Sequence, residues 1–318
     1  MKRKSILLLI ILFLGLGVLV SLMSTNTGLF HQTSELLEIS VIVRSADSGV
    51  WASARQGMEQ AADDFGVELR FLTPIQGSGA QEQRAMFLQE VDNGADGVIL
   101  VPADPASMAE DVRQAAGRTA VVTLESSMAE SGAAACISVD NPALGEALAL
   151  AALAQLDAGQ RILLVDGVPG STGIAQRLAA AGRILEAEGI PVSVLAPESG
   201  TSLADQLTAR LVSGEYAAVI TFDAATLELA AKTAQNLTRP PLLFGMGATT
   251  TIAACLEQGY ITAIAAQNEF AAGYLAVEAA VRAVRNQQGF SVTTLEYALV
   301  DVQTMHLPEN QKLLFPVT

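Results

Sequence analysis

Side chains that do chemistry at neutral pH are scarce in this sequence. Its histidines are His31 and His306 and its cysteines Cys136 and Cys255, out of 318 residues. No CxxC pair occurs and no histidine flanks a cysteine, so zinc-ligand spacing is missing and both thiols read as buried and free. Both histidines sit towards the chain ends, which removes the usual general base and the usual partner of a nucleophilic serine. GxSxG, HExxH and GxxxxGK[ST] do not occur. Gly167, Gly170 and Gly173 lie between a strand-like and a helix-like run, but their spacing is not GxGxxG; they read as turn glycines whose backbone can contact an anion or a hydroxyl. No catalytic group, metal or cofactor is expected. What remains is recognition chemistry, and its first candidate is Trp51, the only tryptophan. An amphipathic ring at the start of a helix can stack on a ligand or anchor a core, and both readings are open.

Composition narrows the partners. With 33 acidic against 18 basic residues the net charge is −15, a field that repels phosphate backbones, so nucleic acid is not an expected partner. Apolar residues make up 51% of the chain, enough for packed cores, and 318 residues exceed what one core usually holds, so two domains are expected.

Lys2, Arg3 and Lys4 precede an unbroken apolar run from Ile6 to Val20 that continues through Leu22 and Met23. Eighteen helical residues span about 27 Å, close to the ~30 Å hydrocarbon core and longer than an ordinary signal-peptide core. The run is an export signal, either an uncleaved transmembrane anchor or a cleaved signal. No cysteine follows it to take a lipid, and the preceding positive charges put the rest of the chain outside the cytoplasm. Ser24 to Leu37 then forms a short polar spacer.

From Glu38 towards the C-terminus, short runs rich in Val, Ile and Leu alternate with stretches of helical period, as in crossover units on a parallel sheet. Strands are expected at Ile39–Val43, Val67–Leu72, Val98–Val101 and Ala120–Leu124. Between them fall helices over Ala54–Phe65, Gln81–Val91 and Ala106–Ala116, the last capped by Asp104 and Pro105. The theme repeats from Pro142: helices over Pro142–Leu156, Thr172–Glu188, Leu203–Val212, Ala224–Leu237 and Thr249–Gln258 alternate with strands at Arg161–Val165, Pro191–Leu195, Ala217–Phe222, Pro241–Phe244 and Ile261–Ala266. Parallel sheets bind ligands beyond the carboxyl ends of their strands, so the loops after Val43, Val101, Leu124, Val165, Phe222, Phe244 and Ala266 are where a site is expected.

Several stretches resemble one family, the periplasmic sugar-binding proteins of the ribose-binding type, related to the ligand domains of LacI-like repressors. They are ISVIVRSADSGVWASARQGMEQAADDFGV, NGADGVILVPADPASM, AVVTLESS, ISVDNPALGEALA, ILLVDGVPGSTGIAQR, AAVITFDAATLELAA and ITAIAAQNEFAAGYLAVEAA, in the family's order over almost all of Glu38 to Val302. The resemblance implies an α/β fold of two Rossmann-like lobes with parallel sheets, the type I periplasmic binding protein fold. Three hinge crossings would lie near Asp140, Gln267 and Glu296. The lobes are then residues 38–140 plus 268–296 and residues 141–267 plus 297–318, after a 1–37 signal anchor and spacer. It further implies a ligand held between lobes that close by hinge motion, and a permease that recognises the closed form.

Matched position by position, the resemblance makes Trp51, Glu125, Arg177, Asp223 and Gln267 the ligand-binding candidates. Glu125 and Asp223 could accept hydroxyl hydrogen bonds, or be solvated loop acids. Arg177 has five fixed donors and no acid at position 173 or 181 to occupy it along its helix. Gln267 can donate and accept at once, or hold the hinge backbone. Three positions depart from the family: Val101 replaces an Asn, Ser126 a basic residue and Gly247 an acid, so a simple ribose ligand does not follow. The implied function is capture of a sugar-like small molecule outside the cytoplasm for an ABC permease or a membrane sensor kinase, by a monomer that catalyses nothing. A LacI-like regulator is the alternative; it needs a helix-turn-helix ahead of the first lobe, where a hydrophobic span stands instead.

Overall fold

The computed structural model of the chain describes residues 36–45, 49–75, 79–128, 130–157, 159–197, 201–287 and 292–315. The N-terminal apolar run lies outside these; among the described residues no helix is long and apolar enough to cross a membrane.

Two six-stranded sheets carry the molecule. The first is built from β1 (Leu37–Ile42), β2 (Val67–Leu72), β3 (Gly97–Leu100), β4 (Ala120–Leu124), β5 (Ala135–Val139) and β11 (Val292–Leu295), in the order β11-β5-β4-β3-β1-β2, with every pair parallel. The second takes β6 (Ile162–Val165), β7 (Val192–Leu195), β8 (Ala218–Thr221), β9 (Leu242–Met246), β10 (Ala263–Gln267) and β12 (Tyr297–Asp301), in the order β12-β10-β9-β8-β6-β7. Only β12, paired with β10, runs antiparallel. Strands such as GVIL in β3 and ILLV in β6 are buried along their whole length, as a sheet covered on both faces requires.

The helices are α1 (Ala52–Phe65), α2 (Gly79–Asn93), α3 (Pro105–Ala115), α4 (Asn141–Leu153), α5 (Thr172–Ala187), α6 (Leu203–Val212), α7 (Ala224–Ala234), α8 (Thr250–Glu257), α9 (Glu269–Val284) and α10 (Pro308–Leu314). Their starts are written locally. Asp104, Asp140, Ser171, Ser202, Asp223, Thr249 and Asn268 each cap the helix that follows through a side-chain oxygen on a backbone N–H.

From β5 the chain runs through α4 into the second sheet, returns after β10 through α9, and changes sheets again between β11 and β12. The result is two α/β lobes. In each, one helix pair packs at glycine. A Cβ on Gly57 of α1 would lie 1.9 Å from the Phe270 carbonyl oxygen of α9, and one on Gly145 of α4 would lie 2.1 Å from the Arg177 carbonyl oxygen of α5. Both thiols are buried and free, and burial raises each above its ordinary value.

Candidate functional site

The carboxyl ends of the strands in the two lobes open onto a common cavity of about 330 Å³. Its polar walls come from Arg44 and Trp51 after β1, Glu125 after β4, Glu269 after β10, Arg177 on α5 and Asp223 after β8. Thr249, which caps α8, and Thr250, which opens it, add hydroxyls, and Phe315 past α10 closes one side. Four of the five candidates from sequence, Trp51, Glu125, Arg177 and Asp223, are brought together here.

Trp51 is 8% exposed and belongs both to the main apolar cluster and to the cavity wall, so the core and ligand readings of it coexist. Its Nε1 donates to Ser45 Oγ at 3.5 Å, and the Arg44 guanidinium lies 5.2 Å from the ring centroid, within cation–π range.

Glu125 stands in the left-handed region at φ 63, uncommon for a residue with a Cβ. Its backbone is tied from both sides: its N–H donates to Ile137 O, and its carbonyl accepts from Ser138 Oγ at 2.9 Å. The side chain pairs with Arg44 at 2.5 Å, and both side chains are largely buried. Burial by itself would raise the Glu125 carboxyl, but Arg44 and then Arg177 outweigh it and hold the group below its ordinary value. Burial likewise opposes the charge of Arg44, and Glu125 followed by Asp223 overcomes it, so that guanidinium is held above its ordinary value.

Arg177 is not the surface partner that its helix position allows. It is 1% exposed, donating through Nε to Asn141 Oδ1 and through Nη1 to Phe222 O, each at 2.7 Å. Burial, the largest influence, pulls it below its ordinary value; Glu125 works against that and Arg44 adds to it. Asp223 is 5% exposed and divides its work: Oδ1 caps α7 by accepting from Thr226 N at 2.9 Å, while Oδ2 is buried without a hydrogen-bond partner among the described residues.

Gln267 does not line the cavity. As the last residue of β10 it pairs in register with Tyr297 of β12, lies 3% exposed in a small recess behind Trp51, and donates through Nε2 to Glu269 Oε1 at 2.9 Å. Its contact with the cavity runs through Glu269, which, like Arg44, is absent from the candidates read from sequence. Arg44 could have been found, because it follows directly on a strand-end loop position. Glu269 opens α9, where an acid is ordinary as a partner of the helix dipole. Burial first and Glu125 second push its carboxyl from 4.5 up to about 7, against the pull of Gln267, Arg177 and Arg44.

The positions that depart from the expected pattern have structural occupations. Val101 is fully buried and its carbonyl accepts from Gln83 Nε2 at 2.7 Å. Ser126 Oγ lies 3.0 Å from Ser171 Oγ and accepts from Gly173 N at 3.1 Å, fixing the start of α5 against the other lobe. Gly247 has φ 144, and a Cβ there would meet Ile252 Cδ1 at 2.6 Å and Ala224 Cβ at 2.8 Å, so no side chain fits.

A family model described as a periplasmic binding protein domain matches residues 39–288. No curated protein matches by sequence. Among solved structures, a carbohydrate transporter solute-binding protein from Agrobacterium radiobacter, in complex with D-arabinose, superposes with a TM-score of 0.81 at 16% identity, covering 89% of this chain and 100% of that one. GanP, a glucose-galactose binding protein from Geobacillus stearothermophilus, gives 0.76 at 18% identity over 86% of this chain and 100% of its own. A candidate LacI transcriptional regulator from Bacteroides fragilis gives 0.73 at 13% identity, with 85% and 99% covered. At these identities the likeness is one of fold, and it is the type I fold of two α/β lobes.

Proposed function

The chain belongs to the periplasmic binding protein family, whose members bind solutes outside the cytoplasm, and from that premise we propose that it captures a sugar or sugar-like small molecule between its lobes and turns nothing over. One observation carries the reading. The strand ends of both lobes meet at a cavity where an indole face stands beside Arg44, Glu125, Arg177 and Asp223, and Asp223 Oδ2 has no hydrogen-bond partner among the described residues. An apolar ring plate with a few convergent polar groups suits a ring that is apolar on its faces and hydroxylated at its rim. Gln267 acts here through Glu269, orienting its carboxyl. The Agrobacterium and Geobacillus neighbours, by description a carbohydrate transporter protein and a glucose-galactose binder, support the same ligand class.

In this reading the lobes are residues 38–140 plus 268–296 and residues 141–267 plus 297–318. They deliver their ligand as a monomer to an ABC permease or a membrane sensor, tethered by the N-terminal apolar run or released by its cleavage. Titration calorimetry of the full chain in detergent, against pentoses, hexoses, inositols and nucleosides, tests it. Binding of at least one, with compaction in solution scattering, is expected; no binding across the panel overturns the reading. The candidate LacI neighbour favours a second reading, a regulator built on the same ligand domain. Specific retention of DNA by the purified chain would establish that reading, and its net charge of −15 argues against it.

A further inference from the structure

The titratable groups of the cleft do not match in number, and the excess is acidic. Among the described residues its lining carries two guanidiniums, Arg44 and Arg177, and three carboxyls, Glu125, Asp223 and Glu269. Arg44 is taken by Glu125. Arg177 bonds two neutral oxygens, on Asn141 and Phe222. Glu269 has a neutral amide, Gln267, as its hydrogen-bond partner, and Asp223 keeps one buried oxygen with none. Asp166, which interacts electrostatically with Asp223 but does not line the cavity, also has a buried oxygen, Oδ1, with no hydrogen-bond partner among the described residues.

Gly167 packs tightly against the orphaned oxygen, since a Cβ there would lie 2.5 Å from Asp223 Oδ2 and 1.9 Å from Thr226 Oγ1. Gly167 and Asp223 both line a side chamber of about 240 Å³ that shares Arg44 and Trp51 with the main cavity. The unmatched acceptor of the site is thus a carboxylate oxygen, and a buried carboxylate oxygen left without a hydrogen bond is costly. A neutral polyol supplies hydrogen bonds to such oxygens. A protonated amine supplies hydrogen bonds and the missing charge together, and charge-assisted bonds are the stronger kind.

We propose that the ligand is a cationic polyol, a hydroxylated ring or chain bearing a protonated amine, with Asp223 and Glu269 as the residues that select the positive charge. The inference rests on the capture of a sugar-like solute and names its charge. The state of Glu269 agrees: burial first and the neighbouring Glu125 second push it up to about 7, further than Gln267, Arg177 and Arg44 pull it back.

The test uses matched pairs on the full chain in detergent by titration calorimetry, at about pH 6.5 so that the amines are charged. The pairs are D-glucosamine with D-glucose, D-galactosamine with D-galactose, and 1-amino-1-deoxy-D-sorbitol with D-sorbitol. N-acetylated amino sugars, which keep the substituent and lose the charge, are the controls. In at least one pair the amine should bind about tenfold or more tightly than its neutral and acetylated partners, a gap of about 1.4 kcal/mol. Asp223→Asn and Glu269→Gln should each shrink that preference at least threefold or so. The second variant keeps the shape of its side chain, so the test does not hang on the folding of the first.

Equal binding of amine and neutral partner overturns the inference and leaves the capture of a sugar-like solute standing. Tighter binding of D-glucuronate or D-galacturonate, gripped by Arg177, overturns it as well. Silence from every amine and every neutral polyol overturns both.

Discussion

The two walls of the cleft are finished to different degrees. On the side of β1 and β4, Arg44 and Glu125 close a contact of 2.5 Å, and the same guanidinium rests over Trp51, so this pair is matched before anything binds, while Glu269 of the same lobe has the neutral amide of Gln267 as its hydrogen-bond partner. On the side of β6 and β8, Arg177 is held by neutral acceptors, while Asp223 and Asp166 each leave a buried oxygen unmatched. Under the proposed solute capture, the Arg44–Glu125 pair is structure that also touches the ligand, and the second wall is a surface whose hydrogen bonding is completed from outside. Disturbing the first should register as lost stability without ligand, and disturbing the second chiefly as lost binding.

Breaking the pair gives the largest expected effect. Glu125→Gln leaves Arg44 buried without its counter-charge, and such a loss costs about 3–5 kcal/mol. Asp223→Ala removes a helix cap worth about 1 kcal/mol and at the same time removes an oxygen that had no partner. Urea unfolding of the two variants without ligand checks the contrast. Equal losses would erase the distinction between the walls.

A smaller effect is expected where the lobes are alike. Gly57→Ala in one lobe and Gly145→Ala in the other each press a methyl group onto the backbone of a packed helix, an overpacking that costs about 1–3 kcal/mol. Similar losses from both would show that the asymmetry is confined to the cleft. A strain several times larger in one lobe, read from the same unfolding curves, would extend it into the cores.

How far the sequence foretells this arrangement depends on what kind of signal each part leaves. The alternation of apolar runs and helical periods marks β1 to β4 and β6 to β10 to within a residue or two, because a parallel sheet buried on both faces demands continuous apolar strands. The strand ACISV of β5 leaves no such mark in that pattern, since it follows β4 after a short loop instead of a crossover helix. Nor does the alternation mark α9, β11, β12 or α10. Strand-end logic points towards Glu125, Asp223 and the loop bearing Arg44. It says nothing of how Arg177 is used, because a helix position with no acid four residues away looks the same whether the side chain faces solvent or, as here, is 1% exposed. Glu269 is hidden for a related reason: an acid in a first helical turn has an ordinary explanation, and only the fold brings it to within electrostatic reach of Glu125, Arg177 and Arg44.

The smallest effect is one of pH, and it sharpens the contrast between Glu125, paired directly with Arg44, and Glu269, whose hydrogen-bond partner is the neutral amide of Gln267. From about pH 4.5 to about 7 the unfolded chain has an ionised Glu269 while the folded protein keeps the proton, so the folded state binds more protons and stability falls as pH rises through that window. Glu125, held below its ordinary value, acts in the opposite sense: its contribution is present above that value and is lost as pH falls. Asp166, raised by burial first, adds to the trend of Glu269 and leaves a residual slope in any variant of Glu269. Without ligand, the urea midpoint of the parent should therefore drop between about pH 5 and about pH 8, and Glu269→Gln, which cannot ionise, should drop less. Identical drops in parent and variant would mean that Glu269 ionises freely in the folded protein, the pull of Arg177 and Arg44 then offsetting burial and Glu125.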